Sequence, residues 1–274
     1  MTHAANRSSH ACEIALTVPR PSGSVADMFP IRDHNPSERV PVVTYALIAA
    51  NIVVFLLMLN AFSNDRALLA IYDDWAMVPA RVSNGQAYHT LFTSMFMHGG
   101  FWHLAGNMLF LWIFGDNLED QMGPVKFLAF YLACGAGADI AHLMSNPNSP
   151  IPVVGASGAI AGVMGGYLLL FPKARVDILL IIIIYIRVFT LPAWVMLGLW
   201  FAMQLFNGVG SSGVGGGVAY WAHAGGFVVG FLLCLPLWLR RGAQKYWERT
   251  DGHPPHPATE YKLSPTRIPR TRRR

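Results

Sequence analysis

The chain has 274 residues, a net charge of +5 at pH 7, 53% hydrophobic residues and only 13% charged residues. Soluble domains carry about 25% charged residues, so this composition excludes an ordinary soluble domain and indicates a membrane protein. The cysteines are too few and too widely spaced to predict a disulfide framework or a zinc site; they are Cys12, Cys134 and Cys234.

Six apolar segments approach or reach the roughly 17 to 25 residues that a helix needs to cross a bilayer. Arg187 and Pro192 interrupt the long apolar stretch at 176–207. We therefore expect an interfacial or partly buried connector at 176–187, followed by a span. The predicted spans are 42–62, 101–115, 125–144, 154–171, 190–207 and 218–238. They predict an all-α, polytopic membrane protein with a six-helix bundle.

The segments outside the bundle are predicted to be tails. Residues 1–41 lack the apolar core of a signal peptide and form the N-terminal tail. Because the sequence that begins at Met28 resembles a native start, we interpret residues 1–27 as an extension or as a mis-called start. The bundle covers 42–240, and the basic, Pro/Arg-rich segment 241–274 is expected to be disordered.

The distribution of positive charge predicts the topology. With six spans both termini lie on one side, and that side then holds all but two of the 20 Lys and Arg residues, the exceptions being Arg66 and Arg81. Positive residues are concentrated on the cytoplasmic side of membrane proteins. Both termini are therefore predicted to be cytoplasmic.

In this topology the second, fourth and sixth spans all begin at the outer face. His103, Ser157 and His223 lie near the beginnings of these spans. At a rise of 1.5 Å per residue, each lies within roughly 10 Å of the outer boundary. A hydroxyl and an imidazole at the same depth in the membrane are the minimum set of groups for catalysis by a serine nucleophile.

Glycines predict that the fourth and sixth spans pack together. Gly158, Gly162 and Gly166 recur every four residues in the fourth span, as do Gly226 and Gly230 in the sixth. Small residues at this spacing allow helix backbones to approach closely in lipid. Such packing would bring the hydroxyl of the fourth span within reach of the imidazole of the sixth.

Candidate oxyanion-stabilising groups lie on two elements. His103 and Asn107 are four residues apart, on one face of the second span, and both can donate hydrogen bonds. The loop containing Gly155 leads into the start of the fourth span, where backbone N–H groups have no intrahelical acceptor. His98 is interpreted as a residue that fixes the loop before the second span.

Three segments of the sequence, MHGGFWHLAGNMLFLWIFGDNLED, GASGAIAG and AHAGGFVVG, together resemble the rhomboid family of intramembrane serine proteases, in its bacterial type. The resemblance extends from about Met28 to Arg241. It implies a six-helix bundle whose Ser–His dyad cleaves transmembrane substrates near the outer membrane surface.

Carried over residue by residue, the resemblance implies that Ser157 is the nucleophile and His223 the general base. His103 and Asn107, with the backbone N–H of Ser157, would stabilise the oxyanion. Gly155 would shape the loop before the nucleophile. Gly158 and Gly226 would serve helix packing around the active site.

The sequence departs from the family pattern at two places. His89 and Thr90 occupy positions where the family often has Trp-Arg, in the first external loop. Ala161 stands where some members have a tyrosine that packs under the histidine. We therefore look to Trp221 or Tyr220 for support of the His223 ring.

The expected partners are single-span or multi-span membrane proteins as substrates, together with the lipid bilayer. No cofactor, metal or nucleic acid is expected, and the sequence contains no HExxH zinc motif. The expected location is a bacterial cytoplasmic membrane, and the oligomeric state is left open.

Two alternatives from other classes remain open at this point. One is a non-catalytic rhomboid-like protein that binds membrane clients. The other is a small transporter or proton channel, whose polar path would use His103, Asp139, His142 and His223.

Overall fold

A computed structural model describes residues 27–35, 37–182, 185–210 and 218–254. The helices are α1 Val42–Met58, α2 Asp65–Trp75, α3 Pro79–Ser83, α4 Thr90–Thr93, α5 Phe101–Met122, α6 Pro124–Ser145, α7 Ser157–Leu170, α8 Ala193–Gly210, α9 Tyr220–Arg240 and α10 Gln244–Thr250. Short 3₁₀ turns, Leu59–Ser63 and Ser94–Phe96, follow α1 and α4. The strands are β1 Asp27–Asp33, β2 Arg175–Ile182 and β3 Tyr185–Pro192.

The long helices confirm a helical membrane bundle. Among the described residues, four helices are long and apolar enough to cross a bilayer: Val42–Ser63, Pro124–Ser145, Ala193–Gly210 and Tyr220–Arg240. The helix α7 is apolar but has only 14 residues. The helix α5 has 22 residues, with acidic residues in its second half. The count of six spans therefore stays a prediction.

The helix α5 continues seven residues beyond the predicted end of the second span. Glu119, on this extension, is only 5% exposed. Its carboxylate accepts hydrogen bonds from the backbone N–H groups of Val43 and Thr44 and from the Thr44 hydroxyl, at 2.8 to 2.9 Å. These N–H groups belong to the first turn of α1 and have no acceptor within that helix. In the sequence, an acidic residue after an apolar segment indicates the end of a span. In the structure, the Glu119 carboxylate caps a neighbouring helix.

The described part of the predicted connector at 176–187 lies in strands. In the sheet β2 pairs antiparallel with both β1 and β3, in the order β1-β2-β3. The expectation of a connector rather than a span agrees with this, but the sequence did not predict a sheet. The segment 176–184 is rich in β-branched Val and Ile, which have the residue preference of a strand. The sheet is an addition to the helical bundle.

Parts of the two predicted tails are folded. The strand β1 lies within the predicted N-terminal tail and pairs with β2. The helix α10 lies within the C-terminal segment that was predicted to be disordered, and the indole of its Trp247 donates to the carbonyl oxygen of Leu169, at 3.0 Å. The expectation of disorder is therefore wrong for Gln244–Thr250. Residues 1–26 and 255–274 lie outside the described residues, so the predictions for them are not tested.

The helices α7 and α9 pack in parallel through their glycines, as predicted. A Cβ atom added to Gly226 would collide with the carbonyl oxygen of Gly158, and one added to Gly230 would collide with the backbone of Gly162. One turn further along, a Cβ on Gly166 would lie against Cys234. Small residues permit this approach because association in lipid depends on close packing.

The neighbours of α7 determine which helix ends meet. Phe114 and Leu118 of α5 pack near Tyr167 and Gly166, toward the end of α7. His103, at the start of α5, lies beside Gly155, just before α7. Hence α5, α7 and α9 run in the same direction and begin at the same end of the bundle. The helix α6 runs antiparallel to α9, since Gly137 meets Val229 and Ala141 meets Gly225.

A polar cluster joins β1 to the far ends of α5 and α7. Asp33 Oδ2 accepts from Asn117 Nδ2 at 2.8 Å and from the Tyr167 hydroxyl at 3.1 Å. Asn35 Nδ2 donates to the same hydroxyl oxygen at 2.9 Å. Burial raises the pKa of Asp33 to about 6, although the hydrogen bonds partly oppose this shift.

We expect the stability of the protein to fall between about pH 4 and pH 6 through Asp33. Its pKa is about 3.9 in an unfolded chain and higher in the folded protein. The stabilising contribution is therefore complete below about pH 4 and is lost as the pH rises through 6, by at most about 3 kcal/mol. Thermal unfolding in detergent from pH 4 to 7 measures it. In Asp33→Asn this pH-dependent component should disappear, and an unchanged pH profile would contradict the prediction.

Candidate active site

Ser157 and His223 are in direct contact. Ser157 is the first residue of α7, and His223 lies in the first turn of α9. The Ser157 Oγ and His223 Nε2 atoms are 2.7 Å apart. This contact follows from the glycine packing of the two helices, because Gly158 lies against the first turn of α9. The geometry allows proton transfer from the hydroxyl to the imidazole.

A third side chain holds the other nitrogen of the imidazole. Gln204 Oε1, on α8, lies 2.9 Å from His223 Nδ1. An amide oxygen can only accept, so Nδ1 carries the proton and Nε2 is free to accept from the hydroxyl of Ser157. Gln204 is only 8% exposed, so water does not compete freely for this bond.

The His223 ring is supported by Trp200 of α8. The two ring centroids are 5.8 Å apart and the planes are inclined by 30°. Trp221, one of the two residues expected to support this ring, packs near Gly208. Ala161, at the position where some rhomboids have a tyrosine, is fully buried. The aromatic support thus comes from α8 rather than from α7.

Gly155 brings His103 close to the serine. A Cβ atom on Gly155 would lie 2.8 Å from His103 Nε2 and 3.6 Å from Ser157 Oγ, so both atoms border the same small space. Gly155 has a φ of +130°, a conformation that favours glycine. A side chain here would be strained and would also occupy the space between the two groups.

Asn107 lies one turn further along α5 and is bonded within its own helix. Its Nδ2 donates to the carbonyl oxygen of His103 at 3.0 Å, and the residue is 8% exposed. The structure therefore brings together Ser157, His223, Gly155 and His103, with Asn107 on the adjoining turn. His98 is fully buried beside His103, with ring centroids 5.1 Å apart, which is compatible with its predicted place in the loop.

Asp139 acts on the loop before the serine rather than on the imidazole. Its Oδ2 accepts from the Ser94 hydroxyl at 2.8 Å. The carbonyl oxygen of Ser94 accepts from the N–H of Gly155 at 3.0 Å. Asp139 is buried, and through Ser94 it is linked to the backbone of the loop. This arrangement is that of a structural support.

The loop that lacks the Trp-Arg pair is held by other bonds. His89 Nε2 lies 2.8 Å from the carbonyl oxygen of Asp74, and its ring packs edge-on against Trp75. The Thr90 hydroxyl donates to the carbonyl oxygen of Ala87 at 2.7 Å. The departure from the family pattern is thus accompanied by a different set of local contacts.

Comparison with known proteins identifies the family. The sequence profile of the Rhomboid domain matches residues 85–240, more than half of the chain. The chain belongs to the rhomboid family. The matched segment includes Ser157, His223 and Gln204, so the whole contact network around the imidazole lies inside the rhomboid domain. Together with its apolar helices, this makes the chain a membrane protein.

Several curated rhomboids are similar to this chain. Rhomboid protein 1, mitochondrial, from Saccharomyces cerevisiae is 34% identical over 145 residues, which cover 51% of this chain and 39% of that protein. Rhomboid protease GluP from Bacillus subtilis is 36% identical over 129 residues, 47% of this chain and 24% of that protein. RHOMBOID-like protein 4 from Arabidopsis thaliana is 35% identical over 170 residues, which cover 58% of this chain and 36% of that protein. The chain thus spans well under half the length of these relatives.

The contribution of α8 to the site is not among the residues predicted from the sequence. Gln204 and Trp200 lie one turn apart on one helix face and both meet His223. A signal was present, because an amide in an apolar span is costly unless it is hydrogen-bonded. In the described part of the chain, no group of three or more His, Cys, Asp or Glu side chains is arranged to hold a metal ion.

Proposed function

We propose that this rhomboid is an intramembrane serine endopeptidase that cleaves transmembrane helices with a Ser157–His223 dyad. One observation carries the proposal: the 2.7 Å contact between Ser157 Oγ and His223 Nε2, on an imidazole whose Nδ1 is fixed by Gln204. Both termini would lie in the cytoplasm of a bacterial cell, with six spans and the site near the outer face.

The first half of the reaction forms an acyl-enzyme. His223 Nε2 takes the proton of Ser157 as Oγ attacks the substrate carbonyl carbon. The resulting oxyanion would be stabilised by His103, by Asn107 after its amide turns from the helix backbone, and by the N–H of Ser157. Each such donor contributes about 3 kcal/mol in comparable sites. Collapse of the tetrahedral intermediate breaks the C–N bond, and the imidazolium returns the proton to the leaving amine.

The second half releases the other fragment. His223 removes a proton from a water molecule as the water oxygen attacks the acyl carbon, and the proton then returns to Ser157 Oγ. Because a formed helix hides its peptide bonds, the substrate must unwind locally near the site. Small or helix-breaking residues near the cleaved bond are therefore expected in substrates.

The test is cleavage in a bilayer. Purified full-length protein would be reconstituted with a fluorescent single-span protein, and its fragments would be read on a gel with and without EDTA. Cleavage unaffected by EDTA, together with covalent labelling by a fluorophosphonate probe, supports the proposal. Folded protein that neither cleaves nor reacts with the probe would contradict it and favour binding of membrane clients without cleavage.

Gln204→Leu should lower kcat by about 10- to 100-fold with little change in KM. The leucine fills a similar volume but cannot accept a hydrogen bond from Nδ1–H, so the imidazole loses the bond that fixes its tautomer and orientation. Gln204→Glu keeps an acceptor oxygen and should retain most of the activity. Steady-state kinetics on a single-span substrate in vesicles measure both variants. Equal losses in the two variants would indicate that Gln204 matters only for packing.

A further inference from the structure

A cavity opens between α6 and α9 at the end of the bundle away from Ser157. It has a volume of about 350 Å³. Arg240 lines it and lies 17 residues after His223, which at 1.5 Å per residue is about 25 Å along α9. The cavity is therefore separate from the candidate active site.

The cavity lies beyond the part of α6 and α9 where the two helices are in close contact. Toward the active site α6 and α9 are in close contact, where a Cβ on Gly225 would collide with Ala141. Toward the other end the facing residues include Ala129, Ala133 and Pro236, which are too small to fill the gap. Arg241 crosses to α5, where its guanidinium donates to the carbonyl oxygen of Gln121 at 3.1 Å.

The cavity is apolar along its length and cationic at its mouth. On α6 its lining begins with Lys126 and continues toward the membrane interior with Ala129, Phe130 and Ala133. On α9 it begins with Arg240 and continues with apolar residues at the same spacing. The two cations are exposed, and within the described residues neither of them forms an ion pair.

The depth of the two cations matches that of lipid headgroups. Arg240 is the last residue of a long apolar helix, and Lys126 is the third residue of another. Basic residues at such span ends lie at the membrane interface. From Lys126 to Ala133 the apolar wall extends about 10 Å into the hydrocarbon, which suits the upper part of an acyl chain.

We propose that this cavity binds one anionic phospholipid, with its phosphate between Lys126 and Arg240 and an acyl chain against Ala129, Ala133 and Leu237. Charge complementarity selects an anion, because two cations line the cavity and no carboxylate is among its lining residues. The apolar wall selects a lipid over a free anion, since a soluble phosphate would leave that wall in contact with water. The bound lipid fills the gap between α6 and α9.

Native mass spectrometry of the full chain in a neutral detergent tests the site. The protein is titrated with phosphatidylglycerol or phosphatidylcholine of identical acyl chains. One phosphatidylglycerol should bind more tightly than phosphatidylcholine, by about fivefold for each of the two cations. In Lys126→Gln/Arg240→Gln the preference should disappear.

Two further variants separate this site from general charge attraction. Lys245→Gln/Arg249→Gln removes the same charge near the same end of the bundle but outside the cavity, and should keep the preference. Ala133→Phe keeps both cations but fills the cavity, and should weaken the binding of both lipids. Equal loss of preference in the two double variants would overturn the proposal. Unchanged lipid binding in Ala133→Phe, or competition by inorganic phosphate, would overturn it as well.

Discussion

Ser157→Ala should reduce cleavage of a single-span substrate by about 10⁴-fold or more and abolish labelling by a fluorophosphonate. The substitution removes the oxygen atom that lies against His223 Nε2, and residual rate enhancement then comes from binding and oxyanion stabilisation. Alanine is a good helix former. The first turn of α7 should therefore remain folded, and the melting temperature should change little.

The nucleophile assignment has a matched control. Ser94→Ala removes a different serine hydroxyl near the site, the buried one that donates to Asp139. It should lower activity far less than Ser157→Ala, because it loosens the loop without removing a reacting group. Fluorophosphonate labelling should persist in Ser94→Ala. Cleavage that continues in folded Ser157→Ala would refute the assignment.

Gly230→Ala should destabilise the bundle by about 3 kcal/mol or more. The added methyl group would collide with the backbone of Gly162, and a backbone cannot rotate out of the way as a side chain can. Overpacking of a tight core commonly costs 1 to 3 kcal/mol, and here α7 and α9 would also be pushed apart. Because the same two helices carry Ser157 and His223, cleavage should fall along with stability.

Gly198→Ala is the corresponding control in α8. A Cβ atom at Gly198 would meet nothing within 4 Å. Alanine there should leave stability unchanged or raise it by about 0.5 to 1 kcal/mol, because glycine costs more entropy in a helix. Thermal unfolding in detergent compares the two variants. A melting temperature for Gly230→Ala equal to that of the wild type would show that the helices do not pack at this glycine.

The sequence predicted the long helices and their contact well. The segment expected at 125–144 is the helix Pro124–Ser145, and the segment expected at 218–238 is the helix Tyr220–Arg240. Long apolar runs and regularly spaced glycines are local patterns, so they can be read without knowledge of the fold. The contact of Ser157 with His223 follows from those patterns once the helix directions are known.

The features that were missed depend on partners distant in sequence. In the sequence Glu119 is only an acidic residue after an apolar segment. Its role as a helix cap is recognised once the first turn of α1 is known to lie against it. The strands of Arg175–Ile182 and Tyr185–Pro192 form where β1 is available to pair with β2. Gln204 is an amide in an apolar helix, and its function depends on its hydrogen bond to a histidine 19 residues away in the sequence.

The common direction of α5, α7 and α9 has an electrostatic consequence. Each helix carries about half a positive charge at its N-terminal end, and these three ends meet near His103, Ser157 and His223. Inside a membrane such partial charges are poorly screened, so their fields add at one point. The bundle itself therefore creates a positive potential in the space beside Gly155. Negatively charged tetrahedral adducts, such as those that boronic acids form with a serine, should be stabilised there before any side chain contributes.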